Sequence, residues 1–136
     1  MIKFFRNPVD TPGGVKIYFW SEPTDMRKGV DGLSRIVEAS MKADIYSGAL
    51  FVFVSRRRDR LKILTWDTGG FIVYYKRLEA GCFKMPRMRS GSTTVELDSA
   101  QLAMLLRGID LSRVRKPILW EPKTFDTKGI DTIGQI

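Results

Sequence analysis

The stretch SRRRDRLKILTWDTGGFIVYYKR, residues 55–77, sets Arg56, Arg57, Arg58 and Arg60 between runs of strand-forming residues. A guanidinium is a planar fork of donors that matches a phosphate or the edge of a guanine. The chemistry implied is anion recognition. Like charges crowded on one turn repel, and a turn that only had to be soluble would be served by Asn-Gly or Asp-Gly without that cost. The pattern therefore points to a negative partner, and Lys62, Lys76 and Arg77 on the following strands extend it. Arg27 and Lys28, in MRKG, form a second basic site at an expected helix start, where cations oppose the helix dipole. The alternative for that pair is ordinary pairing with Asp31 or Glu38 on the helix surface.

The chain contains 136 residues with a net charge of +8, one cysteine and no histidine. Without histidine, a Ser-His-Asp centre is excluded and the commonest zinc ligand is missing. Cys82 alone cannot form an internal disulfide framework. Metal-assisted phosphoryl transfer needs converging carboxylates. The candidates Asp25, Asp31, Asp59, Asp67 and Glu79 have simpler uses: Asp25 as a helix cap, Asp59 as a turn former among arginines and Asp67 at the head of a turn. No glycine pattern opens a helix as a phosphate-cradling loop does, so neither a catalytic residue, a metal nor a cofactor is expected. No run of about 18 apolar residues is available to span a bilayer and no signal peptide is visible, which predicts a cytoplasmic protein without membrane contact.

The charge is concentrated. Residues 1–54 carry seven basic and six acidic side chains, residues 55–90 ten and three, and residues 91–136 six and six. A local excess makes a positive potential that attracts phosphate, whereas a solvated basic face is the simpler account of any charge run.

Periodicity supplies the scaffold. VKIYFW at 15–20 alternates as a strand, and Met26, Val30, Leu33, Val37 and Met41 recur at helical spacing after Thr24 or Asp25, either of which can cap. ALFVFVS at 49–55 reads as a central strand covered on both faces, followed by RLKILTW and FIVYYK around the DTGG turn in an antiparallel meander. The period of two puts Arg60 and Lys62 on one face. Trp66, Phe71, Tyr74 and Tyr75 are assigned to core or cross-strand packing, with base stacking as the alternative use. TTVELD forms a further strand, and Asp98 or Ser99 caps a short helix with Leu102, Leu105 and Leu106 inward, ending near Gly108. The expected fold is α+β: a mainly antiparallel sheet of about five strands, one longer helix after the first strand and a short helix near the C-terminal end. One domain, 1–111, is expected to be followed by an irregular basic tail, 112–136, with Arg113, Arg115 and Lys116 as a smaller basic patch.

PTDMRKGVDGL, SGALFVF, RDRLKILTWD, GFIVYYKRLEAG and ELDSAQLAMLLRGID, in that order, resemble the TnpB-type accessory protein of the bacterial insertion-sequence family numbered sixty-six, which is distinct from the RNA-guided nuclease of the same name. The resemblance implies a small cytosolic protein encoded beside a separate transposase and a second accessory protein, needed for efficient transposition and without established enzymatic activity. RRRDR stands where related sequences often have a glycine before the aspartate, and DTGGF where Asp-Gly pairs are common. Two functions follow as expectations. In the first, Arg56, Arg57, Arg58, Arg60, Lys62, Lys76, Arg77, Arg27 and Lys28 bind DNA at the insertion-sequence ends and help assemble the transposase. In the second, the protein is an adaptor for the transposase or the other accessory protein, without direct DNA contact.

Overall fold

The structure is a computed structural model that describes residues 14–108. The expected tail, 112–136, and its basic patch lie outside the described residues. Chain order is β1 (Ile17–Trp20), α1 (Val30–Arg35) continuing as a π-helical stretch (Ile36–Ser40), β2 (Leu50–Val54), β3 (Arg60–Asp67), β4 (Gly70–Arg77), β5 (Thr94–Leu97) and α2 (Ser99–Arg107). One five-stranded sheet runs in the order β4-β3-β2-β1-β5. Only β1 and β2 are parallel; β2-β3, β3-β4 and β1-β5 are antiparallel. The α+β architecture is the one expected, and the parallel pair explains its longer helix, because a parallel neighbour requires a crossover.

The sheet has two covered faces, so its central strand is apolar throughout. All five residues of β2 are buried. Phe51, Phe53 and Leu64 pack with Leu33 and Val37 on the α1 side, while Leu50, Val52, Val54, Leu61 and Ile63 pack with Leu102, Leu105 and Phe83 on the α2 side. The period of two thus sends alternate residues into two separate cores.

Two local expectations need correction. Neither Thr24 nor Asp25 caps α1: its N-cap is Gly29, with no side-chain hydrogen bond to the helix end. Asp25 instead accepts from the backbone N–H of Arg27 at 2.9 Å and from its guanidinium, and the chain between Thr24 and Gly29 is a turn rather than a helix. By contrast, Asp98 caps α2 through a reciprocal box with Gln101, with both bonds at 2.8 Å. Helix α2 stops at Gly108, whose φ of +75° is a left-handed value and whose Cα lies hard against Leu78; a Cβ there would sit 2.8 Å from Leu78 Cδ1.

Candidate nucleic-acid interface

One end of the sheet gathers the exits of β1, β2 and β4 with the entrance of β3. The basic residues collect there. The turn after β2 carries exposed Arg56, Arg57 and Arg58 and is braced rather than free: Arg58 N–H donates to Ser55 O at 2.9 Å, Leu78 N–H to Asp59 O at 2.8 Å and Phe83 N–H to Arg58 O at 2.7 Å. Phe83 is fully buried, so the turn carbonyls are tied to the core through it. Asp59 is a turn former, as expected, accepting from Ser55 Oγ at 3.3 Å. The backbone of a charged tip held in this way has little entropy left to lose on binding.

Arg58 has a φ of +64°. A left-handed conformation costs an L-residue roughly 1–2 kcal/mol relative to the right-handed one. Glycine at this position would relieve that cost. Arg58→Gly is therefore expected to raise stability by roughly 0.5–1 kcal/mol, seen as a higher urea midpoint with an unchanged slope. The same change removes one cation from the turn, so affinity for a polyanion should fall while stability rises.

Beyond the turn, Arg60 stands directly opposite Arg77, and Lys62 opposite Tyr75, all four on the α1 side of the β3–β4 pair. Lys62 Nζ donates to Lys28 O at 2.8 Å and lies 5.2 Å from the centre of the Tyr75 ring. Lys28 is thereby brought to the same end. Among the described residues no carboxylate pairs with Arg56, Arg57, Arg58 or Arg60, and Arg77 has only Glu79 at 3.7 Å with both side chains exposed. Such a contact contributes little.

Two expected members are otherwise engaged. Arg27 grips Asp25 through Nε at 3.1 Å and Nη2 at 2.7 Å, and this guanidinium holds the Asp25 carboxyl well below the usual carboxylate range. The partner of Arg27 is thus Asp25, not Asp31 or Glu38. Lys76 points to the opposite side of the sheet and donates to Leu106 O, near the end of α2, at 2.6 Å; burial pushes its pKa down. Of the nine residues read from the sequence, Arg27 is thus engaged by Asp25 and Lys76 lies on the other side of the sheet, while the other seven stand at or beside the sheet end.

The aromatic residues divide as well. Trp66 and Phe71 face each other across the β3–β4 turn, ring centres 5.0 Å apart, and Tyr46 joins them at 5.1 Å from Trp66. Tyr74 packs against the α2-side core. Tyr75 is 52% exposed and so is not a core residue; its packing is cross-strand, against the Lys62 ammonium directly opposite. Sequence reasoning also passed over a groove of ≈ 710 Å³ beside α2, where Lys84, Arg87 and Arg107 rim Met85, Val95 and Met104. The only signal for it was that Lys84 and Arg87 belong to the basic excess of residues 55–90.

Among the described residues, no group of three or more His, Cys, Asp or Glu side chains gathers as a metal site, and no helix is long and apolar enough to cross a membrane. Fold and surface together define a small α+β protein whose distinguishing feature is a cationic sheet end. The sequence profile of the IS66 Orf2-like proteins matches residues 15–116, and the chain belongs to that family of insertion-sequence accessory proteins. Two relatives come from Sinorhizobium fredii: the uncharacterized protein y4jC, 37% identical over 77% of this chain and 89% of its own length, and the uncharacterized protein y4hO, 34% identical over 82% and 95%. No solved structure matches the chain significantly.

Proposed function

We infer that this protein is a non-catalytic accessory factor of insertion-sequence transposition that binds DNA at its cationic sheet end and helps assemble the transposase on the ends of the element. The observation that carries this reading is the Arg60–Arg77 pair. Like charges directly opposite on adjacent strands destabilise a sheet by a few tenths of a kcal/mol up to about 1 kcal/mol. Here the repulsion is relieved only by the exposed 3.7 Å contact of Arg77 with Glu79, and it is joined by three more arginines on the adjoining turn that have no carboxylate partner among the described residues. A phosphate backbone supplies the missing negative charge.

Arg60→Thr combined with Arg77→Thr tests it. The fold should be as stable as the parent or slightly more so, because the repulsion is removed and threonine suits a strand. Duplex affinity by fluorescence anisotropy should fall roughly tenfold or more at about 0.1 M salt. Unchanged affinity in the folded double variant would contradict the reading.

A second reading, an adaptor for the transposase or the other accessory protein, is favoured by the groove beside α2. Its apolar floor, with Met104 63% exposed, and its three rimming cations suit a protein segment that carries apolar and acidic side chains. Binding by that route would depend on salt less steeply than duplex binding does, because the charge pairs are screened but no condensed counterions are released.

A further inference from the structure

Arg60, Lys62, Tyr75 and Arg77 form a two-by-two block on one surface of the β3–β4 pair. Tyr75 is the odd member. Its neighbours on the same side of β4, Phe71 and Val73, pack against the α1-side core, whereas the Tyr75 ring lies beyond that core and is 52% exposed. A single exposed tyrosine is unremarkable in itself. What distinguishes this one is its setting: the Lys62 ammonium lies 5.2 Å from the ring centre, and two exposed arginines stand next along the strands, Arg60 without a carboxylate partner among the described residues and Arg77 with only the 3.7 Å contact to Glu79. The Lys62 ammonium is itself fixed, through its 2.8 Å bond to Lys28 O, so ring and charge are held in register before any ligand arrives.

An aromatic face among cations is suited to nucleic acid whose bases are not already stacked on both sides. In an intact duplex the base faces are covered and only the backbone and groove edges are accessible; an unpaired strand exposes both a π-face and the adjoining phosphates. We propose that the Arg60–Lys62–Tyr75–Arg77 block is a site for an unpaired DNA strand, with one base stacked on the Tyr75 ring and the flanking phosphates on Arg60 and Arg77. This rests on the DNA-binding reading above and deepens it: the arginine turn engages backbone of any form, and Tyr75 adds a preference for unpaired nucleotides.

The experiment compares a fluorescein-labelled oligothymidylate, which does not fold on itself, with a blunt duplex, using the full chain and its Tyr75→Ala and Tyr75→Phe variants. Oligothymidylate affinity should fall about tenfold in Tyr75→Ala, the scale of one lost base stack, and be retained in Tyr75→Phe. Duplex affinity should stay within about twofold of the parent in both variants, and the salt dependence should not change, because no charge is removed. Oligothymidylate binding that is unaffected by Tyr75→Ala, or an equal loss for both DNA forms, would overturn the stacking role while leaving the arginine surface standing. Absence of binding to either DNA by the parent would overturn both. Circular dichroism and the urea midpoint establish that each variant is folded.

Discussion

Alanine at Arg56, Arg57 and Arg58 together is expected to lower duplex affinity about a hundredfold at roughly 0.1 M salt and to flatten the log-log salt dependence by about 2 to 3 units. Each arginine that meets a phosphate releases nearly one condensed counterion, so three lost contacts remove close to three such terms from the slope. Stability should change by no more than about 0.5 kcal/mol, since all three side chains are exposed and have no partner among the described residues. Alanine at residue 58 inherits the left-handed backbone and so leaves that cost in place. The turn itself should hold, because its bracing bonds run through backbone atoms: Leu78 N–H to Asp59 O and Phe83 N–H to Arg58 O. Anisotropy titrations at several salt concentrations, with a urea melt of the same preparation, separate loss of binding from loss of fold.

The largest expected stability effect is at Phe53. Its side chain has no exposed surface, sits on β2, the central strand of the sheet, and belongs to the α1-side core with Leu33, Val37, Phe51 and Leu64. Truncation of a buried phenylalanine to alanine costs about 3–5 kcal/mol, through lost transfer energy and the cavity left behind. Against a total of about 5–15 kcal/mol for a domain of this kind, Phe53→Ala should bring the protein close to unfolding at 25 °C. The site would suffer with the fold. Phe53 is paired across the strands with Lys62, which positions itself over Tyr75 and bonds Lys28 O. Phe53→Leu, nearer in volume, should keep the midpoint much closer to the parent value.

Much of this arrangement is legible in the order of residue types. The unbroken apolar run Leu50–Val54 could only be a strand covered on both sides, and the alternation Arg60, Lys62 against Leu61, Ile63 already assigns the two basic residues to one surface. Asp98 with Gln101 three residues later, and Gly108 after the last apolar position, mark both ends of α2. Such signals are local: each depends on neighbours within a few residues.

What was not legible depends on distant parts of the chain. Whether Asp25 serves a helix end or Arg27 is decided by where α1 begins, and the loop must first return beside β2, where Thr24 N–H bonds Val54 O at 3.0 Å. Strand alternation alone puts Lys76 and Arg77 on opposite sides, but the partner that engages Lys76, Leu106 O at the end of α2, comes from thirty residues away. Tyr75 and Phe71 are both aromatics on the same side of β4, and Phe71 is covered by packing that includes Tyr46, a residue from a distant loop, while Tyr75 is left exposed. The bracing of the arginine turn by residues 78–83 is likewise a contact between segments with no common sequence pattern. The positive φ of Arg58 is set by the same bracing of the turn, because nothing in the residue type announces a left-handed backbone.

The central claim is that the cationic sheet end binds DNA. The most direct measurement is the affinity of the full chain for a labelled duplex carrying the end of its element, and for a scrambled duplex, across a salt series. Engagement of about five phosphates predicts a log-log slope of roughly −4 to −5, with tighter binding to the true end if the protein also reads sequence. Absence of binding to either duplex at low salt, or an affinity indifferent to salt, would contradict the claim.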